Sequence, residues 1–357
     1  MSQPALHQFL TGATEGDAIT AQALVIQRWL NDLDYESRIY AQHIHTSLQD
    51  NVLPLASYKP HPAEKWAVYH HSIGSNVPDF LKREQLRLLL IYHNITPAHY
   101  FASSDLARTQ LANLGRRQLL QLRDQTELAL AVSAYNVREL EQIGYSKTAV
   151  LPNTLNGDRY DIPGNADLEA RLQQTGPNLL FVGRLAPNKK QDDLLKLLHA
   201  YGRLQPDAHL YLVGDRWEIG YDKWIEDLAH YLGVAGNQTL SGKVSQQDLV
   251  TYYKGADFYV SMSEHEGFGV PLIESMYLGV LVLAYGVTGV PETMGDAGIL
   301  FFKKEYEALA DLLDMLLTER RLRGRILLRQ KERAQDFLEP KVRSQFENQL
   351  RQLGMLS

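Results

Sequence analysis

The chain has 357 residues, 45% hydrophobic and 22% charged, and carries no cysteine, which suits two globular domains and excludes disulfides, thiolate metal sites and a cysteine nucleophile. Its formal charge of -6 argues against a nucleic-acid partner, which a basic surplus would signal. Residues 1–20 lack the basic start and long apolar stretch of a signal peptide. No apolar run approaches the ~18–20 residues that span a bilayer, so a cytoplasmic protein is expected.

Taken in chain order, strand-length apolar runs fall at residues 5–10, 37–41, 65–70, 87–93 and 127–133. Amphipathic segments lie between them, such as "AITAQALVIQRWLNDL", where Ile19, Leu24, Ile26 and Leu30 recur at helical spacing. "TAVLPN" (148–153) closes this half. A second series follows at 178–185, 208–215, 238–244, 256–263, 280–286 and 297–301, separated by helical patterns such as "QDDLLKLLHAYGRL" and "SQQDLVTYYKGA". Such alternation predicts parallel sheets with crossover helices. The expected architecture is α/β, with two Rossmann-like, doubly wound domains facing a central cleft. Ligands of such sheets sit outside the carboxyl ends of the strands. The domains are expected at 1–155 and 156–335, with 336–357 a helix crossing back onto the first. Residues 155–178, rich in Gly, Pro, Asn and Asp, read as the linker.

The densest chemistry lies in "SMSEHEGFGVPLIES" (261–275). A strand ends near Ser263, a loop carries Glu266 and Gly267–Gly269, and Pro271 opens a helix, a position where its missing N–H costs nothing. Glycines before a helix N-terminus bring backbone N–H groups close to an anion, which the helix dipole also favours. Glu266 could accept from sugar hydroxyls and Glu274 could grip a ribose diol, as acidic residues do in other nucleotide folds. In "FVGRLAPNKKQDDLL" (181–195), Arg184 and Lys189 offer a planar fork and a point charge suited to phosphate oxygens. The plainer alternatives are solvated carboxylates and surface ion pairs.

"VGRLAPNK", "LVGD", "GKVS" ahead of "LVTYYKGAD", and "EGFGVPLIE", in this order, resemble the retaining glycosyltransferases of the GT-B fold, family 4 (the group 1 glycosyltransferases). "VLPNTLN" (150–156) is similar to the family's V-x-P-N-G-V-D hinge, with Thr154 and Leu155 replacing Gly and Val. "GVTGVPETMGDAGILF" (286–301) is similar to the segment that closes the nucleotide site. The resemblance implies that residues 1–155 bind the acceptor and 156–335 the nucleotide sugar. It implies that Arg184 and Lys189, preceded by Gly183, neutralise the leaving diphosphate. Glu266 would bind the donor sugar's hydroxyls, assisted by the backbone of Gly267, Phe268 and Gly269. Val270 would lie by the phosphates, Glu274 would bind the ribose, and Lys243 and Val244 would flank the base. It further implies retention without a protein nucleophile, the leaving phosphate deprotonating the acceptor. No metal or cofactor is expected beyond the nucleotide-sugar substrate, GDP-mannose being favoured over a UDP-sugar.

In the first half the likeness is thinner. "TGATEGDAITAQAL" (11–24) stands where the family carries a Gly-Gly loop. Gly16 and Asp17 are placed on the acceptor side, with Asp17 equally readable as a plain helix cap. His93, past a strand end, matches a family histidine near the transferred sugar, and His70 and His71 end the neighbouring strand. Each is also readable as a satisfied strand-end histidine. Asp32 and Asp34 form a D-x-D, but at a helix end rather than after a buried strand. Residues 113–123 and 319–325 are basic stretches read as solvated helix faces, the first also suited to an anionic membrane surface. Tyr252, Tyr253 and Tyr259 read as packing residues. The expected activity is hexosyl transfer, mannose favoured, to a glycan or lipid-linked saccharide in surface polysaccharide synthesis. The location would then be cytoplasmic, with peripheral contact at the inner membrane face. A non-catalytic donor-binding scaffold and a GT-B epimerase or phosphorylase are the alternatives.

Overall fold

Apolar strands flanked by amphipathic helices build two all-parallel sheets in the computed structural model, which describes residues 3–60, 64–216 and 220–356. Each sheet belongs to its own unit: Met1–Thr154 with Pro340–Ser357, and Leu155–Glu339.

The first unit contains β1 (His7–Ala13), β2 (Ile39–Ile44), β3 (Val52–Pro54), β4 (Trp66–His71), β5 (Arg87–Tyr92), β6 (Thr126–Ala131) and β7 (Thr148–Val150). Their order is β3-β2-β1-β4-β5-β6-β7. The inner strands are sealed on both faces by helices, so Leu88 through Tyr92 are all buried. The short edge strand β3 has no counterpart in the apolar pattern. It ends in Pro54, whose missing N–H is tolerated at a sheet edge. The terminal helix Glu339–Gln352 contributes Val342, Phe346 and Leu350 to the same apolar cluster as Leu6, Ile26 and Trp29. Asp32, one half of the D-x-D, is ion-paired to Arg343 of this helix at 2.7 Å.

The second unit contains β8 (Asn178–Val182), β9 (His209–Val213), β10 (Gln238–Gly242), β11 (Phe258–Ser261), β12 (Leu281–Tyr285) and β13 (Ile299–Phe301), ordered β10-β9-β8-β11-β12-β13. The stretch expected to be a linker instead carries the helix Ala166–Leu172, whose Leu168 and Leu172 are buried in this unit's core. Its cap is Asn165, whose side-chain oxygen accepts from Asp167 N and Leu168 N. A polar composition concealed two leucines four residues apart. Chain entry and exit are tied together, Leu155 N donating to Phe337 O at 2.7 Å.

Both strand orders reverse direction beside the first strand, between β1 and β4 and between β8 and β11. The carboxyl ends of those pairs open the crevice in which doubly wound sheets take ligands.

Candidate active site

In the second unit the switch point lies between the loops that follow β8 and β11. Past β8 the chain turns through Gly183 and the exposed Arg184, whose carbonyl accepts from Gln191 Nε2 at 2.9 Å. A Cβ on Gly214, at the neighbouring strand end, would lie 2.2 Å from Gly183 O, so only glycine lets these backbones meet. A short turn over Pro187–Lys189 then presents Lys189. Its Nζ donates to both oxygens of Glu266, at 2.6 and 2.7 Å, joining the two loops by a charge-assisted pair. Asn188 adds backbone-directed bonds: its Nδ2 donates to His265 O at 3.2 Å and its carbonyl accepts from Glu264 N at 2.8 Å.

The Glu266 loop is gripped from its other side by the segment after β12. Glu266 N donates to Thr288 Oγ1 at 2.9 Å, and Thr288 Oγ1 and Gly289 N donate to Glu266 O at 2.8 and 3.0 Å. Thr293 Oγ1 donates to Phe268 O at 2.7 Å. The loop ends at Gly269, in left-handed backbone at φ +88. The helix Val270–Leu278 follows with no side-chain cap. Pro271 carries no N–H and Leu272 N donates to Gly269 O at 2.9 Å, so the Val270 N–H and the helix dipole are what favour an anion there. The helix begins one residue before the expected start, so Pro271 takes its second position, where an N–H would again be unpaired.

Glu274 lies on that helix and is buried. Its Oε1 accepts from the Tyr160 hydroxyl, and its Oε2 from the Tyr253 hydroxyl at 2.5 Å. Burial raises its pKa, and the hydrogen bonds from Tyr160 and Tyr253 oppose that rise. Lys243, exposed, and Val244, half-buried, follow β10 and precede the helix Gln246–Lys254. Beside the site, Lys304 Nζ bonds Asp193 at 2.7 Å and Glu264 at 2.9 Å, while Lys196 and Tyr306 also donate to Asp193. Desolvation would raise Asp193, but these donors win and hold its carboxyl well below the usual range.

In the first unit, Asp17 caps the helix Ala18–Asp32, its Oδ2 accepting from Thr20 N at 3.0 Å and from Thr20 Oγ1 at 3.2 Å. Gly16 before it is exposed, with φ +81. His93 follows β5 and is half-buried. One of its nitrogens, Nε2, meets His70 Nδ1 at 2.9 Å, and His70 Nε2 meets Gln8 Oε1 at 2.9 Å. His70 is buried with both nitrogens engaged, so it reaches a ligand only through His93. His71 is corrected more fully. It has no exposed surface, accepts at Nδ1 from Tyr69 OH at 3.0 Å, and donates from Nε2 to Gly115 O at 2.9 Å. It anchors the helix Leu106–Leu122 to the sheet and offers nothing to an acceptor. Burial pushes its pKa down to about 4.

Solved structures superpose along nearly the whole chain. Anabaena HepE in complex with UDP and glucose covers 96% of this chain and 98% of its own, with TM-score 0.76 and 18% identity. The fold is GT-B. A sucrose-phosphate synthase from Thermosynechococcus elongatus (TM-score 0.75, 18% identity, 98% and 99% coverage) has the same GT-B architecture. So does WaaG, a glycosyltransferase involved in lipopolysaccharide biosynthesis, with TM-score 0.70, 18% identity and coverage of 92% and 95%. Residues 167–333, most of the second GT-B unit, match the family model described as glycosyl transferases group 1.

Curated relatives match over part of their length. A GDP-mannose-dependent alpha-(1-6)-phosphatidylinositol monomannoside mannosyltransferase of Mycobacterium tuberculosis is 28% identical over 58% of this chain and 57% of its own. The O-antigen chain mannosyltransferase B of Escherichia coli is 31% identical over 37% of this chain and 34% of its own. The chain thus spans between about a third and three fifths of these two relatives. Within this GT-B second unit, Lys189 and Glu266 are joined directly, while Glu274 is turned inward to two tyrosines. Tyr160, Tyr253 and Lys304 went unnoticed in the sequence as site residues. The only signal for Tyr253 was its place in "LVTYYKGAD", where it read as packing.

Proposed function

We propose that this chain is a group 1 glycosyltransferase that moves a hexose, mannose favoured, from a nucleotide-diphosphate sugar to a saccharide or lipid-linked acceptor with retention. The carrying observation is the Lys189–Glu266 pair spanning the β8/β11 switch point beside the uncapped helix start at Val270. A diphosphate fits cations beside a helix N-terminus, and a sugar fits a carboxylate already oriented by a lysine. In this reading Lys189 keeps one ammonium proton for the diphosphate after donating two to Glu266, and Arg184 adds a second charge. Gly183, Gly267, Phe268, Gly269 and Val270 bring backbone close to the phosphates and sugar. Glu274, held by its tyrosines, uses its remaining lone pairs for the ribose, and the backbone of Lys243 and Val244 flanks the base. His93 takes a sugar or acceptor hydroxyl, with Gly16 and Asp17 on the acceptor side.

Catalysis then consists of positioning and of stabilising the charge that develops on the leaving diphosphate. That diphosphate takes the acceptor's proton on the face it leaves, so the anomeric configuration is kept, and Arg184 and Lys189 supply the positive charge without a metal. Mannose is favoured because several curated relatives are named as GDP-mannose-dependent. Among the described residues no helix is long and apolar enough to cross a membrane. Contact with a membrane face would be peripheral, through residues 113–123.

Thermal-shift titration with GDP, UDP and ADP, followed by turnover of GDP-mannose on an acceptor panel, tests the reading. GDP should raise the melting temperature most, Lys189→Ala and Glu266→Gln should each remove transfer, and the product should keep the donor's anomeric configuration by NMR. Absence of nucleotide binding, or an inverted product, sinks it. Nucleotide binding without transfer to any acceptor favours the non-catalytic scaffold.

A further inference from the structure

The buried polar line across β1, β4 and β5 carries directional information. Gln8 is wholly buried, and its Nε2 donates to Ala23 O of the helix Ala18–Asp32 at 2.9 Å. That bond fixes which end of the amide faces His70: the oxygen Oε1, an acceptor only. His70 must therefore carry its proton on Nε2, the nitrogen 2.9 Å from Gln8 Oε1. A neutral His70 then has a lone pair on Nδ1, and His93 must donate to it from Nε2 across 2.9 Å. The two rings lie stacked with centroids 5.2 Å apart. A proton on His70 Nδ1 would face the one on His93 Nε2, so the line resists protonation of His70. Burial works the same way, lowering the pKa of both imidazoles, that of His93 to about 3.

We infer that Gln8 and His70 are positioning residues that hold His93 as the neutral Nε2–H tautomer, with its Nδ1 lone pair left to accept a hydrogen bond. The functional half of this inference rests on the glycosyltransferase reading above; the tautomer itself does not. A neutral Nδ1 lone pair suits a donating group such as a hydroxyl and repels a phosphate oxygen. His93 thereby belongs to hydroxyl recognition, and charge neutralisation falls to Arg184 and Lys189. The arrangement begins in the helix Ala18–Asp32, whose carbonyl at Ala23 orients Gln8 two steps away from His93.

The experiment is 15N NMR of the full chain labelled at histidine, with His93→Gln assigning the His93 signals. At neutral pH the wild type should show His93 protonated at Nε2 and bare at Nδ1. In Gln8→Leu, His70 loses its acceptor and can turn its proton towards His93, so the His93 signals should shift to a mixture of tautomers. Kinetics give the second readout. His70→Leu should lower kcat about tenfold, the scale of one lost buried hydrogen bond, with donor KM changed by less than about twofold. His70→Asn, whose Oδ1 can still accept from His93, should recover most of kcat. An Nδ1–H or doubly protonated His93 in the wild type, an unchanged His93 spectrum in Gln8→Leu, or equal kcat losses in His70→Leu and His70→Asn would each overturn the inference. The NMR arm needs no substrate, so it reads the tautomer even if glycosyl transfer proves to be the wrong reaction.

Discussion

Replacing Tyr253 by phenylalanine removes one oxygen atom and tests how Glu274 is held. The ring is fully buried and stays in place, but Glu274 Oε2 loses the hydroxyl that donates to it at 2.5 Å. A hydrogen bond to a charged acceptor contributes ~1.5–3 kcal/mol. Melting shifts ~2–4 °C per kcal/mol for a body of 150–250 residues, the size class of Leu155–Glu339. A fall of ~3–12 °C is therefore expected in differential scanning fluorimetry. Its pH dependence has a definite sign. The folded pKa of Glu274 is raised by burial, so the folded state binds the proton more readily than the unfolded chain, and ionisation above that pKa costs stability. Loss of the Tyr253 donor raises it further. The deficit of the variant relative to wild type should thus be larger at pH 8 than at pH 5. GDP affinity should fall several-fold, because the carboxylate assigned to the ribose loses one of its two guides. A shift below ~1 °C, or one equal at both pH values, would refute the reasoning.

Gly289→Ala would place a Cβ 2.3 Å from Gly267 O, forcing apart the segments that shape the Glu266 loop. Turnover should fall at least tenfold at a stability cost of ~1–3 kcal/mol, while Gly236→Ala, with nothing within 4 Å of its Cβ, should leave both unchanged. Lys304→Met removes the ion shared by Asp193 and Glu264. Discounted for the more exposed Glu264 arm, it should lower the urea midpoint by the equivalent of ~1–2 kcal/mol, with added salt recovering little. His71 has a folded pKa of about 4, below its ordinary value near 6.5. The unfolded chain therefore gains a proton first as pH falls, and stability drops between about pH 6.5 and 4. His71→Asn should flatten the melting-temperature profile across that window.

Element type and order were legible because they rest on short-range pattern. Every strand but β3 overlaps an apolar run, trimmed where the run continues into its loop, as at 178–185 against Asn178–Val182. β1 and β2 start late and reach Ala13 and Ile44, beyond the expected ends at 10 and 41. The exceptions are instructive. β3 is three residues long and ends in proline, too short to carry a period. The helix Ala166–Leu172 hides among turn-forming residues and is identified only by what its leucines bury. Within the site, Lys189 and Glu266 were named separately, but their direct pairing depends on two loops 77 residues apart meeting at one switch point. His70 and His71 look alike in sequence. One step along a strand reverses the face, so one histidine joins the line to His93 and the other anchors a helix.

The second unit leaves the chain at Leu155 and gives it back at Glu339, and those ends meet through the bond from Leu155 N to Phe337 O. Topologically it is an insert: a closed parcel spliced into a host whose last helix is made after the parcel is complete. During synthesis the host's sheet must therefore wait, one flank of its Trp29 cluster uncovered, until Val342, Phe346 and Leu350 have left the ribosome. The inserted unit does not wait on that helix and can close first, so damage within residues 340–357 should appear as misfolding of the first unit.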